Sequence, residues 1–61
     1  MQLLSEKEVS ELLLVPVNTL RTWRQTGRGP AFVRLSERSI RYREDIIQKF
    51  IEDGEVSPSK E

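Results

Sequence analysis

The stretch VPVNTLRTWRQTG, from Val15 to Gly27, constrains the fold more than any other part of this chain. Pro16 suits the first turn of a helix, where a missing N–H costs nothing, and Gly27 suits the position just past its end. At 100° per residue, Leu20 and Trp23 share one side of that helix. Asn18, Arg21, Thr22 and Gln25, at i, i+3, i+4 and i+7, fall nearly opposite. A helix anchored by an indole and a leucine, with two amides, a guanidinium and a hydroxyl outward, is equipped to read base edges. Arginine pairs with guanine, and asparagine or glutamine with adenine. The same pattern also describes an ordinary amphipathic surface helix, and the neighbouring sequence has to separate the two.

Sixty-one residues make one domain with a small core. Such a chain buries only about 60% of the surface it exposes when unfolded, so a deep catalytic pocket is not expected. Cysteine and histidine are both absent. That removes disulfides and thiolate or imidazole metal sites, and no spaced carboxylate cluster replaces them. Neither a metal nor a cofactor is expected. A nucleophile needs a base within reach, and Ser and Lys occur here in no recognisable pairing, so the chain does not read as an enzyme. No apolar run approaches the ~20 residues of a membrane span, and the N-terminus lacks a secretory pattern. A soluble cytoplasmic protein is the expectation.

The net charge of zero hides a strong segregation. Between Pro16 and Arg43 stand seven arginines (21, 24, 28, 34, 38, 41 and 43) against Glu37, a local +6. The rest of the chain holds three lysines against nine acids, a balance of −6. For a polyanionic partner the local sign matters more than the sum. Arginine is also the cation suited to bidentate phosphate and guanine contacts.

Taken in order, Ser5 and Glu8 have the spacing of a capping box, with Leu4 placed to staple onto Val9. Val9, Leu12 and Leu13 form an apolar stripe, which predicts a first helix over Glu6 to Leu13. Its outer face carries Glu6, Lys7 and Glu11, an acidic surface fit for support and not for approach to phosphate. Leu14-Val15 leave only a short connection to the second helix, as in a helix-turn-helix. Leu14 stands where a glycine would suit the turn, and Pro16 where a Ser, Thr or Asp cap would, so a plain αα-hairpin is the alternative.

GRGP, Gly27 to Pro30, ends the second helix and is expected to send the chain outward as a loop. Beyond it, Val33 and Leu35 alternate with Arg34, and Ile40 and Tyr42 alternate with Arg41 and Arg43. Period two on both sides of a short polar link predicts a two-stranded hairpin. Its expected inner face is Val33, Leu35, Ile40 and Tyr42; its outer face is Arg34, Arg41 and Arg43, with Arg38 at the tip. A lone hairpin is marginal in water and must lie on the helices as a wing. Glu44-Asp45 open a last helix whose apolar face is Ile46, Ile47, Phe50 and Ile51, and Asp53-Gly54 close it. Residues 1–53 are thus the domain, and 54–61 read as a disordered tail.

Trp23 lines up with Leu20 as a core anchor, and Tyr42 as a core residue with its hydroxyl at the surface. Phe32 has no assigned side. Arg34, Arg38 and Arg41 either solvate the wing or meet phosphate and the minor groove, and Arg28 is a further phosphate candidate. Arg24, on the flank of its helix, is placed to pair with an acid, and Lys49 to be a solvated surface residue.

The run from Leu3 to Glu52 closely resembles the small winged helix-turn-helix family of phage excisionases and AlpA-type prophage regulators, relatives of the MerR DNA-binding domain. The resemblance is carried by EVSELL in the first helix, TLRTW in the second, G-x-G-P, and VRLSERSIRYR followed by Asp45-Ile46. It departs from the family pattern at Leu14, at Pro16 and at Ser36-Glu37 in the wing tip. It implies a mainly α winged helix-turn-helix of three helices and a two-stranded wing. The second helix would enter the major groove of duplex DNA, with the wing on the adjacent backbone or minor groove. The expected contact residues are Val17, Asn18, Thr19, Arg21, Thr22, Gln25, Arg28, Arg34, Arg38 and Arg41. Family members serve as recombination directionality factors beside an integrase or as small transcription regulators. The expected partners are double-stranded DNA and an integrase or neighbouring copies on DNA, with a monomer in solution. A protein-interaction module whose basic face meets an acidic partner is the competing reading.

Overall fold

The computed structural model describes residues 2–55 in the order β1 (Leu3–Ser5), α1 (Glu6–Leu13), α2 (Val17–Thr26), β2 (Val33–Ser36), β3 (Ser39–Arg43) and α3 (Glu44–Asp53). Of the expected tail, residues 56–61 lie outside the described residues. The capping box forms as its spacing predicts. Glu8 N–H donates to Ser5 Oγ at 3.1 Å, and Ser5 N–H donates to Glu8 Oε1 at 2.7 Å.

The turn into α2 solves the problem posed by Leu14 without a glycine. Leu14 takes the left-handed conformation at φ 57°, which costs an L-residue roughly 1–2 kcal/mol. Ser10 offsets this by gripping the turn. Its carbonyl accepts the N–H groups of Leu14 and Val15, and its hydroxyl donates to the Val15 carbonyl at 2.6 Å. The Leu14 side chain points into solvent, 88% exposed. Pro16 is the N-cap of α2, with no side chain to satisfy the first amides, and its carbonyl accepts from Thr19 and Leu20.

A strand that local periodicity does not predict completes the sheet. Leu3–Ser5 pairs antiparallel with β3, so the strand order is β1-β3-β2 and the supposed hairpin strand β3 becomes central. Three strands with one covered face supply the support that a lone hairpin lacks.

The register also corrects the expected faces of the wing. Val33 pairs with Arg41 and Arg34 with Ile40, and directly opposed residues share a face. Arg34 therefore lies on the side of Ile40 and Tyr42, and Val33 on the side of Arg41. Leu35 sits unpaired between Arg34–Ile40 and Ser36–Ser39, and is 57% exposed. One extra residue in one strand inverts the alternation on either side of it, so period two in each strand taken alone gives the wrong shared face. Phe32 takes the inner position instead, its ring 6.3 Å from that of Tyr42.

Val9, Leu20, Tyr42 and Ile47 are fully buried, with Leu4, Leu13, Val15, Trp23, Phe32 and Ile40 packed around them. Leu12, expected in the stripe of α1, is 56% exposed. Val9 and Leu13 lie about 40° apart on the helical wheel, and the side they share suffices to meet the core; Leu12 falls at the rim. In α3 Ile47 is buried, while Ile51 stays 38% exposed. Phe50 meets the Trp23 ring at 6.1 Å.

The loop after α2 turns back where an outward path was expected. Gly27 and Gly29 both have positive φ, 77° and 76°. Those two left-handed steps fold the segment over Trp23, and Pro30 is buried beneath it. A Cβ at Gly29 would lie 2.5 Å from Trp23 Cε3, so glycine there answers both the backbone angle and the close approach.

Candidate nucleic-acid interface

On α2 the residues opposite the core are all exposed: Asn18, Arg21, Thr22 and Gln25. Val17 and Thr19 are partly buried on its two flanks. Thr22 donates its hydroxyl proton to the Asn18 carbonyl at 3.0 Å, which leaves its oxygen free to accept. The open side of the helix is therefore polar along its length, and Leu20 and Trp23 hold the other side down.

Between α2 and the wing runs a groove. Arg21, Arg24, Gln25, Arg34, Glu37 and Ile40 line one part of it, and Ser5, Glu6, Lys7, Arg38 and Arg41 extend it toward α1. Six cations face two carboxylates there, a net of +4. Five of the seven arginines thus border this groove, Arg34 and Arg41 from opposite faces of the wing. The other two are placed elsewhere. Arg28 borders the depression formed by Trp23, Pro30 and Phe32, and Arg43 pairs with Asp45 at 2.7 Å beside the start of α3. Arg41 donates to the carbonyl of Ile40 at 2.8 Å and is partly buried.

The arginines of the groove are not equivalent. Arg24 is only 16% exposed in its side chain; it binds Glu6 Oε2 at 3.0 Å and donates to the Tyr42 hydroxyl at 2.9 Å. The pairing expected of Arg24 is present, and the Tyr42 hydroxyl, expected at the surface, is taken up by it. Arg21 is 58% exposed and shares the same carboxylate, through Nε at 3.2 Å and Nη2 at 3.3 Å. Arg24 and Arg34 flank the Phe32 ring, their guanidinium carbons 5.7 and 5.9 Å from its centroid.

Glu6 lies elsewhere than its place on the helical wheel predicts. Expected on the outer face of α1, it is 21% exposed and sits under two arginines of α2. Burial pushes its carboxyl up, but the hydrogen bonds and charges of Arg21 and Arg24 outweigh this and hold it below its ordinary value. Burial likewise pulls Arg24 down, and its bonds to Tyr42 and Glu6 more than reverse the effect. Arg43 holds Asp45 low in the same manner, against little burial. Fifteen residues separate Glu6 from Arg21, so no local spacing announces the contact.

Among the described residues no group of three or more acids stands close enough to hold a metal, and no helix is long and apolar enough to cross a membrane.

A short support helix, a tight turn, a second helix with an open polar side, and a basic wing beside it define a winged helix-turn-helix. Residues 3–55 match the model of the helix-turn-helix domain family, and the chain belongs to that family, of the excisionase and AlpA kind. No curated protein and no solved structure matches it. Membership suggests binding to DNA, and the family is typically non-enzymatic.

Proposed function

We propose that this protein binds specific sites in duplex DNA, with α2 in the major groove and the wing on the neighbouring backbone or minor groove. The observation that carries the reading is the +4 groove flanking the open side of α2. Asn18, Arg21, Thr22 and Gln25 supply base-edge contacts, with Val17 and Thr19 at the rims of the helix. Arg34, Arg38 and Arg41 contact phosphate or enter the minor groove, and Arg28 reaches backbone further along. A module of this kind buries only about 600–1,000 Å² on DNA. A single copy then binds modestly, and function as a recombination directionality factor or a prophage transcription regulator draws on neighbouring copies or an integrase. The free protein is a monomer.

The test is the salt dependence of duplex binding. Log affinity should fall with log salt at about −0.9 per phosphate neutralised, hence ~−3 to −4 for Arg28, Arg34, Arg38 and Arg41. Arg38→Ala should make the slope shallower by about 0.9 and weaken all sequences alike. Salt-independent binding, or capture of an acidic protein with no duplex affinity, overturns the proposal in favour of a protein partner. Excision with an integrase against repression of a reporter separates the two cellular roles.

A further inference from the structure

We infer that Glu6, on the support helix, is a positioning residue that turns Arg21 into a guanine reader. This rests on the DNA-binding reading above and names what the groove selects: sites with a guanine opposite Arg21. An arginine guanidinium carries five N–H groups in a rigid planar fork. Glu6 occupies one edge of the Arg21 fork, Oε2 on Nε at 3.2 Å and Oε1 on Nη2 at 3.3 Å. That leaves the end-on pair, one N–H of Nη1 and the second of Nη2, parallel and unengaged by Glu6. Two parallel donors match the O6 and N7 acceptors of guanine in the major groove, and adenine presents a donor where O6 would be.

The remaining geometry supports this division of labour. Arg24 Nη2 holds the same oxygen, Oε2, at 3.0 Å, and the Tyr42 hydroxyl in turn accepts from Arg24. The carboxylate is therefore anchored to α2 and to the central strand before DNA arrives, and a side chain 58% exposed gains a preset orientation. A flexible arginine would lose that freedom on binding; a buttressed one loses less. An acid also stands in a groove that faces a polyanion, where its charge opposes binding to any sequence. Glu6 thus lowers general affinity for DNA and raises discrimination. A residue serving the fold alone would not separate the two.

The experiment selects sites for the intact chain from a randomised duplex library, in parallel with Glu6→Gln and Arg21→Ala. The wild-type sites should fix a guanine at one position, with a preference of about 5- to 150-fold over other bases. Glu6→Gln should lose that preference, keep the rest of the motif, and bind mixed-sequence duplex as tightly as before or more so. Arg21→Ala, at an exposed position with no donor left, should lose the same guanine and serves if Glu6→Gln does not fold. The double variant should lose no more than either single one at that position. An unchanged guanine preference in Glu6→Gln or in Arg21→Ala overturns the inference. Salt-dependent retention with no enriched motif overturns it too, and leaves general DNA binding standing. No retention of any duplex by the wild type overturns the DNA reading itself.

Discussion

The two sides of α2 are built from the same ten residues and have opposite characters. On one side Leu20 is buried, Trp23 lies against Phe50 and Gly29, and Arg24 is pinned between Glu6 and Tyr42. On the other, Asn18, Arg21, Thr22 and Gln25 touch little beyond Glu6 and their own helix. The lesson is a separation of tasks across the width of one helix. Fold stability depends on the anchored side, and the recognition proposed above falls to the open one. Arg21 and Arg24 mark the boundary, since one carboxylate serves both.

The strongest way to break that comparison is to exchange the sides' burdens. Leu20→Ala should destabilise the fold by ~2–5 kcal/mol, the cost of a cavity at a fully buried leucine. A 61-residue domain has only about 3–9 kcal/mol in all, so the melting transition should drop sharply and binding should vanish with it. Gln25→Ala, on the open side, should leave the melting transition within ~0.5 kcal/mol and change only site preference. Equal effects of the two on stability would refute the division.

A smaller effect is expected at Gly29→Ala. The added methyl meets the Trp23 ring and the backbone is already at positive φ, so a loss of about 1–3 kcal/mol should appear in denaturant unfolding. Because Trp23 is the only tryptophan, its fluorescence should shift as well.

The smallest effect sharpens the boundary itself. Glu6 is held below its ordinary value in the fold; burial opposes this, and Arg21 and Arg24 prevail. A depressed acid contributes stability that is present above its unfolded value and lost as pH falls through the folded one. Glu6→Gln should therefore be less stable than wild type at neutral pH, and the gap should close in acid. With water still reaching the carboxylate, the gap should not exceed about 1 kcal/mol. Thermal melts of both proteins from neutral pH into the acid range check the sign.

Much of this architecture is legible locally. The capping box at Ser5 and Glu8, the extent of α1, the two sides of α2, and the start of α3 at Glu44 all follow from spacings within one or two helical turns. The gathering of arginines follows in part from their crowding between Pro16 and Arg43. The errors lie where the pairing of strands decides and local spacing does not. Leu3–Ser5 reads as a helix lead-in, because the strand that makes it β1 lies some 38 residues further on. The wing's alternation holds within β3, but the bulge at Leu35 breaks it in β2 and changes which residues share a face.

The sequence by itself determined the helices, their caps, the polar stripe of α2 and the basic middle of the chain, because each depends on neighbours three or four residues apart. Only the tertiary structure decided that Glu6 underlies Arg21 and Arg24, that Arg34 lies on the side of Ile40, and that GRGP folds over Trp23. Those outcomes depend on strand register and on helices packed across a core, which bring together side chains that local periodicity treats as unrelated.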